Sequence, residues 1–316
     1  MKKLLVTGGA GFIGINFIKH ILDIERVDVV VADKFTYASN PEELVNNMKI
    51  VTHCMDLADS SSVENLFNLH EISHVVHFAA ESHVDRSIKD CKPFIQSNII
   101  ATINLLNEVI KRKIKKFVHI STDEVFGEVP VPAKFNEYSN ICPRNPYSAS
   151  KASAEHFVEA YGNTYGLPYT IINSSNNYGP WQYPEKFIPL AVSRILKNQK
   201  VPVYGTGSQI RDWIFVKDAA EAIRCVLHHG NIHERYCIGG EQEIRNIDLI
   251  RTIIQKMNVN ESFIEYVTDR PGHDARYATS ILKIKRELKW RPKYDLSDGL
   301  NETIEWIKKY ENRIQL

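Results

Sequence analysis

Short apolar runs alternate with amphipathic stretches through the first half of the chain. Lys3–Val6, Val27–Ala32, Val75–Phe78, Phe117–Ile120 and Tyr169–Ile172 are largely apolar and mostly β-branched or aromatic, the composition of buried strands. Between them, Ile15–Leu22, Ser62–Leu69 and Ile99–Lys111 repeat apolar residues at helical spacing. Strands apolar on both faces, alternating with helices, predict a doubly wound parallel sheet joined by right-handed crossovers. The pattern loosens after residue 173, where Pro180, Pro184, Pro189 and Pro202 with Gly179, Gly205 and Gly207 mark loops and short elements. Asp212–Val226 reads as one more strand and helix returning to the first domain, and Asn301–Tyr310 as a closing helix. The expected division is a first domain over 1–173 with a returning segment near 212–228. A smaller C-terminal α/β lobe would take 174–211 and 229–316.

A chain of 316 residues is long enough for two domains and for a core that needs no disulfide or metal staple. Its 39 basic and 38 acidic side chains leave a net charge of +1, which argues against a nucleic-acid partner. No apolar run approaches the roughly 20 residues of a membrane span, and Leu4-Leu5-Val6 is too short for a signal-peptide core. Five cysteines without a C-x-x-C pair are expected to be free thiols of a reducing compartment, which points to the cytoplasm. No histidine–carboxylate spacing suggests a metal ligand set.

Chemistry first shows at the N-terminus. Leu4-Leu5-Val6-Thr7-Gly8-Gly9-Ala10-Gly11-Phe12-Ile13-Gly14 is a strand running through a glycine turn into a helix. Gly8 permits the tight turn, Gly11 lets a pyrophosphate approach the backbone, and Gly14 allows helix and strand to pack closely. The helix start then offers free N–H groups to phosphates. Asp33, at a strand end, is placed to accept both ribose hydroxyls and to repel the 2′-phosphate of NADP, although neighbouring Lys34 could tolerate that phosphate. The expected cofactor is NAD, on a Rossmann-type doubly wound parallel sheet.

Tyr147-Ser-Ala-Ser-Lys151 opens a predicted helix, and residues four apart share a face. The Lys151 ammonium is expected to depress the Tyr147 pKa and make it a usable base. Such a pair is common by chance, but with the glycine turn it resembles the extended short-chain dehydrogenase/reductase superfamily. Ser121-Thr-Asp-Glu-Val-Phe-Gly127 follows a strand, where an Asp-Glu pair can also be plain solvated loop. Together with Ala79-Ala-Glu-Ser-His-Val-Asp-Arg-Ser87, Ser174-Ser-Asn-Asn-Tyr-Gly-Pro180, Pro184-Glu-Lys-Phe-Ile-Pro189, Gln209-Ile-Arg-Asp-Trp213 and Asp269-Arg-Pro-Gly-His-Asp274, it resembles the nucleotide-hexose 4,6-dehydratases. Phe126 stands where the family more usually has Tyr, and Ser280 where many members carry Asp.

The resemblance implies a lyase working by internal redox. Tyr147 would take the C4 hydroxyl proton as hydride leaves for NAD, with Thr122 bonding that oxygen and Lys151 holding Tyr147 and the cofactor ribose. Glu124 would remove and later return the C5 proton, while a protonated Asp123 would assist departure of the C6 hydroxyl. Cofactor contacts are implied for Gly8, Gly11, Phe12, Ile13, Gly14, Asp33, Lys34, Asp56, Leu57, Ala79, Ala80, Ser82 and Asn98 besides Tyr147 and Lys151. Substrate contacts are implied for His83, Thr122, Asn176, Lys186, Arg211, Asn246, Arg270, His273 and Tyr277. Arg211 would clamp a diphosphate, its alternative being an ion pair with Asp212, and His83 could equally be a core histidine. The expected substrate is dTDP-glucose, with UDP-glucose and UDP-N-acetylglucosamine as alternatives, base choice falling around Tyr183, Phe187 and Val203. A 4-epimerase or decarboxylase of sugar nucleotides is the rival enzyme, and a homodimer built on 99–111 and 148–162 is the expected assembly.

Overall fold

The computed structural model describes residues 3–45 and 47–310. Strands β1 (Lys3–Thr7), β2 (Asp28–Asp33), β3 (Ile50–Cys54), β4 (His74–His77), β5 (Lys116–Thr122) and β6 (Tyr169–Ser174) occupy the first half. β7 (Asn176–Tyr178), β8 (Val201–Tyr204), β9 (Ile210–Phe215), β10 (Glu234–Ile238), β11 (Glu243–Arg245) and β12 (Ile264–Val267) follow. Seven of them form one parallel sheet in the order β10-β6-β5-β4-β1-β2-β3. The chain winds outward from β1 to β3 and then returns to the other side of β1 at β4. That reversal opens a crevice at the carboxyl ends of β1 and β4, where such sheets hold ligands.

Alternation along the strands sorts the core into two layers. Leu4, Val6, Val29 and Val31 pack against Phe17, Ile18 and Ile21 of α1 (Phe12–Ile24) and against Ile223 of a later helix. On the opposite face Leu5, Val30 and Val75 meet Leu66 of α2 (Ser60–Leu69), Leu105 and Leu106 of α3 (Ala101–Lys111) and Val158 of α4 (Pro146–Tyr165). Each such side chain stabilises by about 1.5–3 kcal/mol on burial, and truncating fully buried Leu105 to Ala would cost about 2–5 kcal/mol. Asn145 caps α4 reciprocally with Ser148, and Gly166 in the left-handed conformation ends it.

The lobe carries a three-stranded sheet, β11-β9-β7, and a parallel pair, β12-β8. Helices Phe187–Leu196, Asn246–Lys256 and Leu296–Tyr310 surround a third core of Ile188, Val192, Trp213, Ile250 and Leu300.

Two features of the expected division differ in the structure. The returning segment near 212–228 sends back only its helix, α5 (Val216–His229), which packs on α1; its strand β9 stays in the lobe between β7 and β11. Conversely β10, placed in the lobe by the division at 229, pairs with β6 at the sheet edge, and helix Leu282–Leu288 packs beside it. Glu234 and Arg235 hid that strand, because a charged pair at its start breaks the apolar run. The unexpected β3 is an exposed edge whose polar Thr52 and His53 carry little apolar signal.

Candidate active site

The glycine turn lies at the crevice. Gly8 has φ +66°, and a Cβ there would fall 2.5 Å from the Ala79 nitrogen, so β1 and β4 can approach only with glycine in this place. A Cβ on Gly14 would fall 2.4 Å from the Gly8 carbonyl oxygen, which fixes how closely α1 meets the turn. Gly11 caps α1, leaving the N–H groups of Phe12, Ile13 and Gly14 at the open helix start. A cleft runs from here past Asp33, Lys34, Asp56, Leu57, Ala79, Ala80 and Ser82 to Tyr147 and Lys151.

Asp33 accepts the N–H groups of Ala10 and Phe35 at 3.0 and 2.9 Å, and burial still raises its pKa above the ordinary value. Lys34 is held by Asp56 at 2.6 Å, so its charge is already matched. Asn98 is different from expectation: its amide is spent on the backbone of Glu81, at 2.8 and 3.0 Å, and on Ser150 at 2.8 Å. It lies on the π-helical stretch Ile95–Ile100 and braces the Ala79–Ser82 turn rather than lining the cleft. Tyr37, Ser97, Gln182 and Glu185 do line it, and sequence reading passed them over. Glu185 lay within a segment already singled out, but nothing in the sequence shows that it receives Tyr37 at 3.1 Å and Arg86 at 3.0 Å.

β5 is buried along its whole length and delivers Thr122 at its end. Thr122 caps the short turn Asp123–Phe126, accepting the Glu124 N–H at 3.2 Å and donating to Asp123 at 3.3 Å. Asp123 is 1% exposed and its Oδ2 has no hydrogen-bond partner among the described residues. Burial, then the charges of Glu124 and Asp212, push its pKa well above the ordinary carboxyl value, which favours its protonated form. Glu124 is half-buried, and Asn145 and Tyr277 reach its carboxylate at 3.4 and 3.5 Å.

The phenol of Tyr147 meets the Thr122 hydroxyl. Its pKa is raised by burial and by Glu124 and Asp123, not depressed by Lys151 as the sequence suggested. Burial lowers Lys151 to about 8, and its ammonium donates to the Ile120 carbonyl at 2.8 Å. Low polarity around the pair disfavours the charged form of each.

The lobe closes over this end. Arg211 is buried, donates to the carbonyls of Ile210 and Asp274 at 2.8 and 2.9 Å, and lies 4.2 Å over the Tyr277 ring. It forms no ion pair with Asp212, which accepts the Gln242 N–H instead. Lys186 donates to the Ser82 carbonyl at 2.7 Å, Arg270 pairs with Asp85 at 3.3 Å, and His273 with Asp269 at 2.6 Å. His83 caps the helix Val84–Lys89 and stands 3.6 Å from Glu185. Asn176 Oδ1, Asn246 Oδ1 and Arg270 Nε are buried without partners among the described residues. Val203 is sealed in the lobe core, and Tyr183 lines the cleft against Tyr37. Phe126 is core, 5.3 Å from Phe135, and Ser280 donates its N–H to the Phe135 carbonyl at 2.7 Å.

Known proteins place this geometry. The chain is 42% identical over 336 residues to a dTDP-glucose 4,6-dehydratase of Xanthomonas campestris pv. campestris, covering 100% of this chain and 95% of the relative. A crystal structure of the dTDP-glucose 4,6-dehydratase of Streptomyces venezuelae, with NAD bound, matches at a TM-score of 0.95 and 38% identity, over 99% of both chains. The UDP-glucose 4-epimerase of Thermotoga maritima matches at a TM-score of 0.92 and 29% identity, over 98% of this chain and 99% of that one. The GDP-mannose 4,6 dehydratase family model matches residues 5–303, and the chain belongs to that family.

Proposed function

We propose that this protein is a hydro-lyase that converts dTDP-glucose to dTDP-4-keto-6-deoxyglucose with bound NAD, for deoxysugar biosynthesis. The observation that carries the reading is the neighbouring pair of unlike carboxyls. Asp123 is sealed, and burial favours its protonated form, while Glu124 is only half-buried. Environments that push two carboxyls apart are what one acid and one base require. An epimerase has no use for such a pair, and the full-length likeness to dTDP-glucose 4,6-dehydratases favours the same choice.

The cleft fits a dinucleotide. Phe12, Ile13 and Gly14 offer N–H groups to a pyrophosphate, and Asp33 faces the ribose position. With Lys34 already neutralised by Asp56, two carboxylates face one cation there, which favours NAD over NADP. When bound, NAD supplies a hydride acceptor that gives the same hydride back within the cycle. Thr122 and Tyr147 hold the C4 hydroxyl, and Tyr147 receives its proton in the phenolate form, with Lys151 keeping the ring oriented. The C4 ketone acidifies the C5 hydrogen, which Glu124 removes and later restores. Asp123 gives its proton to the departing C6 hydroxyl, so water leaves neutral. Arg211, Lys186, Arg270 and His273 hold the nucleotide end, with Asn176, Asn246 and Tyr277.

Two coupled measurements test this reading. The pure protein is incubated with dTDP-glucose, UDP-glucose and UDP-N-acetylglucosamine, and mass spectrometry reports loss of water; dTDP-glucose should react fastest. Substrate deuterated at C4 should yield product deuterated at C6, while reaction in heavy water should label C5. Label returning to C4 would identify an epimerase, and a product formed without transfer to C6 would contradict internal redox.

The family reading also supports a cytoplasmic homodimer. Phe157 on α4 is 40% exposed, Ile95 just before α3 is 42% exposed, and Ile103 is half-buried, an apolar face suited to a second copy. The five cysteines are free, as in a reducing compartment, and no helix of the described residues is long and apolar enough to cross a membrane. A monomer in light scattering at micromolar concentration would overturn the assembly.

A further inference from the structure

Behind the reacting groups lies a buried ionic network that none of the steps above uses. Glu155 is 0% exposed and one helical turn beyond Lys151 on α4. Its Oε2 accepts from Arg235 of β10 at 2.5 Å, and its Oε1 accepts from the Asn173 amide of β6 at 2.8 Å. Asn173 Oδ1 takes a second bond from Arg235 at 2.7 Å, and its amide nitrogen also donates to the Thr122 carbonyl at 3.0 Å. Arg235 has a second carboxylate, Glu159, at 2.8 Å toward the surface. Every polar group of Glu155 and Asn173 is therefore used, and the cluster ends on the backbone of one active-site residue and faces another.

A buried ion pair is weak evidence of stabilisation, since packed apolar residues of similar volume commonly do as well. Its placement gives a better reason. We infer that Glu155, held by Arg235 and Asn173, is a positioning residue that keeps Lys151 cationic and seats Thr122 at the end of β5. The other groups facing Lys151 cannot supply that charge. His77 on β4 and His119 on β5 are fully buried and neutral, Tyr147 is protonated, and Arg235 is cationic. Glu155 is the charge that opposes burial at Lys151. Glu155 also gains nothing by pairing with Lys151 directly, because its oxygens are spoken for; it acts through the field, in a medium where charges are poorly screened.

The kinetic half of the test rests on the dehydratase reading, and the titration half does not. Lys151 is titrated directly through its 13Cε shift in lysine-labelled protein, assigned with Lys151→Met. In Glu155→Gln the Lys151 midpoint should fall by about one pH unit or more, because Arg235 then adds an unopposed positive field. The alkaline limb of kcat should move down with it while KM changes little. Glu155→Asp should restore most of both. Glu155→Gln with Arg235→Met, which removes both charges, should recover part of the shift and also serves if the single variant fails to fold. An unmoved Lys151 midpoint in Glu155→Gln or in the double variant would overturn the inference, as would lost kcat with an unchanged pH profile. A moved midpoint in a protein that dehydrates no nucleotide sugar would leave the inference standing and sink the functional reading instead.

Discussion

The two ends of the cleft are built in opposite ways. At the dinucleotide end the recognition is mostly backbone: a contiguous turn from Gly8 to Gly14 whose shape follows from missing side chains. At the nucleotide-sugar end the groups come from far-separated segments, and several already have protein partners. Arg270 is on Asp85, His273 on Asp269, and Arg211 on Tyr277 and two carbonyls. The first end is preformed and intolerant. The second must exchange existing partners for ligand, so single losses there should be graded.

The hardest break is at the preformed end. Gly14→Val drives side-chain atoms against the Gly8 carbonyl and Gly9, a conflict with backbone that cannot rotate away. It should destabilise by about 1–3 kcal/mol or more and abolish NAD retention, read by thermal melting and by cofactor content after gel filtration. Retained NAD with an unchanged Tm would remove the contrast drawn above.

Between the ends, Asp123→Asn removes the acid and keeps the shape. Dehydration should drop about 10²–10⁴-fold, while oxidation at C4 survives, seen as accumulated reduced nicotinamide absorbance. The same variant should be more thermostable at neutral and alkaline pH. Asp123 binds its proton more tightly folded than unfolded, so its contribution is fully present below the unfolded carboxyl range and is lost as pH rises through its raised folded value. The Tm advantage of Asn over Asp should therefore grow with pH. A constant difference would show that Asp123 does not titrate in this way.

The smallest effect belongs to the exchangeable end. Arg270→Ala should raise KM about tenfold with kcat little changed, because the guanidinium is shared with Asp85 before ligand arrives and part of its binding energy is spent in parting them. Asp85→Asn should lower KM for the same reason. A kcat loss in either variant, with KM constant, would mean that this pair serves the chemistry instead.

The same contrast explains what could be read from the sequence. The glycine turn, the Tyr147–Lys151 pair and the strand into Thr122-Asp123-Glu124 are local: a few neighbouring residues fix both conformation and chemistry, and the first two line one cleft with Ser121 at the end of that strand. Local reading fails where a residue's state depends on the far side of the fold. Lys151 is expected from spacing to lower Tyr147, but burial raises the phenol and lowers the ammonium instead. Asn98 looked like a ligand contact, and only the path of the Glu81 backbone shows it to be a brace. β10 was missed because Arg235 reads as surface until Glu155 is seen opposite.

The stretch Ile95–Ile100 carries one more consequence. A π turn holds an extra residue, so every side chain after it is rotated about 100° from where regular winding would leave it. Phe94 before the bulge and Leu105 after it are both sealed. Excising one residue there would give a smoother helix with better backbone bonding. It would also turn Asn98 away from the Glu81 backbone, and the Ala79–Ser82 turn would lose its prop. The irregular winding is thus a spacer in angle rather than in length, and it ties the cleft's floor to the helix that runs on into α3.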